Sequence, residues 1–304
     1  MTTSQATSIE NTPVVSVIVP CYNSAATIRR CLNSIFAQRT SFPLDVTVVD
    51  SSSDETPRIV EQEFPSARLI RFERRTFAGA ARNAGVRATR SEFCLMIDSD
   101  CVAGEDLIER MIERHREGDY AAVGGSMANG TPRSLSGWIG YLLEFKEFMP
   151  ATRKRMVTTV PTANVCYRRS VLERYGGFDE QMQFAEDISF NWEMCAAGEQ
   201  ILFDPAIEVV HLNRTGWRRV FSYQVGLGRY SARARMRNRM PGQAGIRHPL
   251  LIPAMPFVRT ARAAAWLAAN DGLAFLAFLA AWPFYFVGAS FWSFGFFQEA
   301  LERR

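Results

Sequence analysis

The sequence predicts an α/β protein with a mainly parallel sheet and a C-terminal hydrophobic, membrane-associated helical segment. Three observations predict it. Apolar runs of strand length alternate with helix-period segments from Val14 to Val123, and such alternation implies crossovers and parallel pairing. Polar residues follow directly on those runs, where open α/β sheets bind ligands. Finally, the 26 residues from Gly272 to Phe297 carry no charge, which exceeds the ~20 residues needed to span a bilayer.

The elements follow in order. Val14 to Val19 (VVSVIV) reads as a buried strand, broken by PCYNS. Residues 24–39 place Ile28, Cys31, Leu32, Ile35 and Phe36 at helical spacing, with Asn23 as N-cap. Leu44 to Val49 is a second strand ending at Asp50, and a helix runs from Asp54 towards Phe64. Ala67 to Phe72 is a third strand, Phe77 to Thr89 a helix of small residues, and Phe93 to Ile97 a fourth strand ending in Asp98-Ser99-Asp100. A helix over Gly104 to Arg116 and a strand over Tyr120 to Val123 come next. Residues 126–159 carry no readable motif. Pro161 to Arg168 is a strand entering a short helix, and Gly176 to Glu180 a turn. Glu186-Asp187 opens an amphipathic helix with Ile188, Trp192 and Cys195 on one side. Ile201 to Phe203 and Val209 to His211 are short strands, and Thr215 to Arg239 a long helix.

Composition bounds the function classes. At 47% hydrophobic and 22% charged residues the chain is globular, not disordered. Residues 1–13 are polar and lack the apolar core of a signal peptide. The six cysteines form no CxxC pair and the three histidines do not cluster with them, so buried thiols fit better than a zinc site. Nine Arg and no acid lie between His211 and Arg247; without them the net charge of +4 becomes −5, so the basicity is local. Beside an apolar tail that stretch favours anionic headgroups or a lipid-linked phosphate. No nucleic-acid-binding motif accompanies it.

The candidate chemistry sits at the strand ends. Asp98 and Asp100 offer hard oxygen ligands suited to Mg2+ or Mn2+ bridging to a diphosphate. Alone, an Asp-Ser-Asp turn is more often a solvated turn; at a strand's carboxyl end beside other acids it favours a metal site. Asp50 can accept hydrogen bonds from a base or ribose, or cap its own Ser-rich turn. Tyr22 can stack on a base or simply rim the site. Arg82, in the small-residue helix, can hold a phosphate bidentately or remain a surface cation. Glu186 and Asp187 are the general-base candidates, against the alternative of acids favoured by a helix N-terminus. His211 is a candidate metal ligand against the alternative of a satisfied core histidine.

In the tail, Met255-adjacent residues 256–269 form an Ala-rich helix with Arg259, Arg262 and Trp266 near one face, as in an interfacial helix. Asn270-Asp271-Gly272 ends it. Arg on both flanks, with Arg303 and Arg304 at the C-terminal side, favours a re-entrant or hairpin arrangement over a single pass. A buried core hairpin is the alternative.

Together PCYN (Pro20 to Asn23), VVDSSSDET (Val48 to Thr56), GAARNAG (Gly79 to Gly85), DSD (Asp98 to Asp100), the block from Ala163 to Glu180, and Glu186-Asp187 resemble the family 2 inverting glycosyltransferases of GT-A fold, of the membrane-associated, non-processive type. The resemblance covers about Val14 to His211. It implies that Pro20, Tyr22 and Asp50 lie at the nucleobase, that Arg82 and Asn83 lie along the nucleotide, and that Asp98 faces the ribose. It implies Asp100 as metal ligand, with His211 beside it in some relatives, and Asp187 as the base. Processive polysaccharide synthases carry a QxxRW element, whereas Gln224 is followed here by VGLGRY. Single-sugar transfer is therefore the expectation. The expected donor is a UDP-sugar, the cofactor Mn2+ or Mg2+, and the acceptor a lipid-linked glycan at the cytoplasmic face of the inner membrane, with anionic lipids as further partners. A nucleotidyltransferase would want a Gly-rich, Lys-bearing phosphate loop where PCYN stands. An inactive scaffold of the same fold would have no need of DSD and ED. The expected organisation is a polar tail over 1–13, a GT-A domain over 14–212, an Arg-rich juxtamembrane helix over 213–247 and a membrane-associated hairpin or single span over 248–304.

Overall fold

The computed structural model describes residues 12–302; residues 1–11 of the polar tail and the flanking Arg303 and Arg304 lie outside them. One mixed sheet holds β1 (Val15–Cys21), β2 (Leu44–Asp50), β3 (Arg68–Arg71), β4 (Phe93–Ile97), β5 (Cys101–Ala103), β6 (Ala122–Asn129), β7 (Arg155–Val157), β8 (Asn164–Arg168) and β9 (Ile201–His211). Its order is β3-β2-β1-β4-β8-β6-β9-β5, with β7 paired to β9. The first half, β3-β2-β1-β4, is parallel, as the βα alternation predicts. β8 then enters antiparallel to β4, and β6 antiparallel to β8.

The helices are α1 (Ile28–Phe36), α2 (Thr56–Glu63), α3 (Ala78–Ala88), α4 (Leu107–Glu117), α5 (Leu135–Phe145), α6 (Arg169–Arg174), α7 (Glu186–Ala196), α8 (Trp217–Arg237), α9 (Ala244–Arg247), α10 (Met255–Asn270) and α11 (Gly272–Glu302). The apolar stripe of α1, Ile28, Cys31, Leu32 and Ile35, packs into the main core with β1 and β2. The small residues of α3 do what such residues allow: a Cβ on Gly85 would lie 2.5 Å from Ile18 of β1.

Several expectations are corrected. Asn23 does not cap α1; it adopts a left-handed φ of 53° and its backbone N–H and side-chain oxygen bond Ser52 and Ser53 of the neighbouring loop. The strand expected over Tyr120 to Val123 runs on through Gly124-Gly125 to Asn129 as β6. The two short strands near Ile201 are one strand, β9. It bulges against β6 between Gly125 and Ser126, at Pro205, and Asn164 Nδ2 satisfies the freed carbonyls of Ser126 and Ile207. In α7 the buried stripe is Glu186, Phe190 and Met194; Ile188 and Trp192 edge a smaller cluster with Met182 and Met240. The motif-free loop contains α5, capped by Ser134, whose Oγ accepts from the Gly137 N–H.

The C-terminal helices are joined to the body rather than set apart from it. Phe278, Ala281, Tyr285 and Ala289 of α11 belong to the main core, as do Ala263 and Leu267 of α10. Further along, α11 crosses α8 at two glycines: a Cβ on Gly228 would meet the Trp292 carbonyl oxygen at 1.9 Å, and one on Gly295 the Val225 carbonyl oxygen at 2.0 Å. Backbone cannot yield as a flexible side chain can. Gly228→Ala is therefore expected to force the helices apart and to cost about 1–3 kcal/mol, read as a lowered midpoint in denaturant unfolding; an unchanged midpoint would show that the crossing is loose. The acids of the tail also find a use. Glu299, 1% exposed, pairs with Arg229 and with both guanidinium nitrogens that Arg233 aims at it.

Candidate active site

A cavity of about 820 Å³ opens at the carboxyl ends of β1 and β4 and extends under α8 and α10. The sheet dictates its position, because every parallel strand of the first half delivers its following loop to the same edge. Pro20, Tyr22, Arg82, Asp98, Asp100, Glu186 and Asp187 all line it, so residues 167 positions apart in sequence meet in one place. Ser24 Oγ and Ser99 Oγ, 2.7 Å apart, tie the loop after β1 to the Asp98-Ser99-Asp100 turn. Tyr22 is 43% exposed and lies under the Arg75 guanidinium, 4.5 Å from its ring centre.

Arg82 is the hub. It is 2% exposed. Its Nη1 donates to Glu186 Oε1 at 2.6 Å and its Nη2 to Asp98 Oδ1 at 2.6 Å. Burial pulls its pKa down, but Asp98, Glu186 and Asp187 outweigh that and hold it above its ordinary value. Arg82 thus clamps two carboxylates from opposite sides of the cavity, rather than holding a phosphate with a free fork. Asn83 does not line the cavity; its amide accepts from the Phe178 N–H and donates to the Phe178 carbonyl and Glu180, fastening α3 to the turn before α7. Asp50 lies beneath the rim, fully buried, accepting from Ser52 and paired with Arg71 at 3.3 Å.

Glu186 and Asp187 differ in their surroundings although they are adjacent. Ala185 before them adopts φ 60°, a left-handed conformation that costs a non-glycine residue energy and often marks a working site. Glu186 is buried and spent on Arg82. Burial and the charge of Asp187 push its carboxyl up, with Arg82 opposing. Asp187 is half-buried, makes no ion pair among the described residues, and accepts from the Ile188 and Thr162 N–H groups. Burial pushes it up as well, against Arg82 and those hydrogen bonds. Asp187 is the carboxylate left facing the cavity.

The metal candidates also meet. His211 ends β9 opposite Cys101 of β5, and its Nε2 lies 3.5 Å from Asp100 Oδ1. Its Nδ1 lies 2.9 Å from Asn213 Oδ1, an acceptor that keeps the proton on Nδ1 and leaves Nε2 bare towards Asp100. That oxygen–nitrogen pair suits a hard divalent cation. The buried Cys101 thiol nearby, held well above its usual pKa by burial, is a poor ligand for one.

Three contributors were invisible in the sequence. Arg214 lines the cavity, 3.8 Å above the Tyr223 ring and 3.6 Å from Glu144. Glu144, from α5, is pushed up by burial, with Arg214 and His211 opposing. Only the position of Arg214, three residues past the strand-ending His211, hinted at its place.

Comparison with known proteins agrees with this geometry. The model of the glycosyl transferase family 2 matches residues 16–176, more than half of the chain. The succinoglycan biosynthesis protein ExoO of Rhizobium meliloti is 31% identical over 222 residues, covering 68% of this chain and 63% of its own. Glycosyltransferase AglE of Haloferax volcanii is 26% identical over 202 residues, covering 63% and 64%. The chain thus spans less than two thirds of the length of these relatives. Among solved structures, the mannosyltransferase PcManGT from Pyrobaculum calidifontis in complex with GDP-Man and Mn2+ superposes with a TM-score of 0.62 at 22% identity, covering 96% of this chain and 87% of that one. S. aureus TarS 1-349 in complex with UDP-GlcNAc gives 0.53 at 19% identity, covering 95% and 91%. At those identities the likeness is one of fold, and that fold is GT-A. With more than half its length matched, the chain belongs to glycosyl transferase family 2.

Proposed function

We propose that the protein transfers one sugar from a nucleotide sugar, a UDP-sugar in the first instance, to a hydroxyl of a lipid-linked acceptor in cell-envelope glycan synthesis, with inversion at the anomeric carbon. The observation that carries the reading is the convergence in one cavity of an unpaired carboxylate, Asp187, with Asp98, Asp100 and Arg214. Asp187 takes the proton of the acceptor hydroxyl. The acceptor oxygen then bonds to the anomeric carbon as the bond to the diphosphate breaks, and the diphosphate leaves with the electron pair. Arg214 stands at the Asp100 side to meet that charge, and Tyr22 at the rim offers its face to the base. Asp100 and His211, with the free oxygen of Asp98, are the residues that would hold Mn2+ or Mg2+. Such an ion supplies a Lewis acid that neutralises charge on the leaving diphosphate. The nucleotide-sugar and Mn2+ complexes of the two structural neighbours support this choice of ligands. Asp100→Ala is expected to remove the Mn2+ dependence of UDP binding in calorimetric titration; equal Mn2+ dependence in the variant would refute the ligand assignment.

The same proposal places the protein flat on a membrane at the cytoplasmic face. Among the described residues α11 is the one helix long and apolar enough to cross a bilayer. It is anchored to α5, α8 and α10 along its length, while Leu273, Leu276, Val287, Phe291 and Phe294 point outward. With Leu250 (94% exposed) and Phe257 they form an apolar face suited to lying in the interface. Leu273→Glu with Leu276→Glu is expected to reduce flotation with phosphatidylglycerol vesicles severalfold without loss of UDP binding. Equal flotation of the double variant would remove this face from the account.

A further inference from the structure

The far end of the cavity is built differently from the acidic end. Residues Arg219, Tyr223, Leu227, Ser231 and Arg235 of α8 line it at four-residue intervals, so one stripe of the helix forms a continuous wall. At 1.5 Å per residue the run from Tyr223 to Arg235 spans about 18 Å. At its end Arg235 of α8 and Arg259 of α10 both line the cavity beside Trp292 of α11. They lie 6.0 Å and 4.0 Å from the Trp292 ring, which both share. Among the described residues no carboxylate lies within 4.0 Å of either guanidinium. Arg259 Nε is buried without a hydrogen-bond partner. Other Arg of this stretch are spent on acids, Arg229 and Arg233 on Glu299.

Arg235 and Arg259 are half-buried on one ring, and Glu147 acts on Arg259 only from beyond 4.0 Å; holding two cations together in this way is costly, and a bound anion relieves the cost. We infer that Arg235 and Arg259 form a binding site for a phosphate or diphosphate group that the acceptor carries at the end opposite to its reacting hydroxyl. Burial, reinforced by Arg259 and Arg262, holds the Arg235 pKa down at about 10, which is the electrostatic counterpart of that vacancy of negative charge. The planar guanidinium pair matches phosphate oxygens, and the aromatic floor keeps water away. The reacting hydroxyl is the one that meets Asp187, so this phosphate anchors the acceptor and is not the nucleophile. The exposed Leu250 and Phe257 would take the alkyl chain of a lipid phosphate.

The inference rests on the proposed donor site, and its test reads the two separately. Full-length protein is titrated calorimetrically with farnesyl phosphate and with farnesol in neutral micelles, with inorganic diphosphate, and with UDP plus Mn2+. Farnesyl phosphate is expected to bind at least tenfold more tightly than farnesol. Arg235→Gln with Arg259→Gln is expected to abolish that preference and to leave UDP binding unchanged; Arg259→Lys, which keeps the charge, is expected to retain part of it. Diphosphate binding as tightly as farnesyl phosphate, and lost in the double variant, supports the site and assigns it to a water-soluble phosphorylated acceptor. Equal binding of farnesyl phosphate and farnesol to the unaltered protein overturns the inference, and needs no variant. Loss of UDP binding alone touches only the donor reading.

Discussion

Asp187→Asn is expected to lower transfer by about 10²–10⁴-fold, the usual contribution of a general base, while leaving nucleotide affinity near that of the unaltered protein. The asparagine keeps the shape and can still accept from the Ile188 and Thr162 N–H groups, but it cannot take a proton. Glu186 cannot substitute for it, because its carboxylate is held 2.6 Å from Arg82 Nη1. Single-turnover rates with nucleotide binding measured alongside would decide the matter. A variant that loses nucleotide binding but transfers at a residual rate similar to the parent would move the base elsewhere. The pH dependence follows from the same surroundings. Burial raises the Asp187 carboxyl, so the acidic limb of the rate profile lies above the ordinary carboxylate range of about 4, and activity rises through it with pH.

Arg82→Met is expected to be the most destabilising single change at the site. It leaves Glu186, and in part Asp98, as buried charges without their partner, at about 3–5 kcal/mol. The sign of its pH dependence is fixed. The Glu186 carboxyl already sits above its ordinary value in the folded chain, and losing Arg82, which opposes that rise, drives it higher. The folded variant then holds its proton to higher pH than the unfolded chain does, so its stability is greater at low pH and falls as pH rises through the raised value. Denaturant unfolding at pH 5 and pH 8 should show a penalty that is smaller at pH 5. A penalty of the same size at both would mean that Arg82 acts by packing alone.

The parallel half of the fold was legible because its signals are local. Val15 to Cys21, Leu44 to Asp50 and Phe93 to Ile97 are short, apolar and bounded by polar turns, and Tyr22 and Asp98, just past the first and third of them, line the cavity. The antiparallel half was less so. Strands expected to end at Val123 and Phe203 run on through Gly124-Gly125 and Pro205, and the sheet absorbs the irregularity in a bulge whose carbonyls Asn164 satisfies from a third strand. No local pattern carries that information. Among site residues, acids at strand ends were found, and what each touches was not. Arg82 and Asn83 are neighbours on one helix. One clamps Glu186 and Asp98 and the other fastens a turn, a difference set by the direction each side chain takes from α3. Glu144, Arg214 and Arg235 come from segments whose sequence marks them only as charged. The basic stretch was seen as one feature, whereas the fold divides it between ion pairs with the tail and the far end of the cavity.

The central claim is that this cavity holds a nucleoside diphosphate through a divalent cation. Thermal unfolding of the full-length protein with UDP, GDP, Mn2+ and each nucleotide with Mn2+ tests it most directly. At a ligand concentration of about 100 Kd a specific complex adds about 2.7 kcal/mol of stability. The account predicts a raised Tm with UDP and Mn2+ together, little change with either alone, and loss of the effect in Asp100→Ala. An unchanged Tm for every nucleotide, with and without the metal, would contradict it.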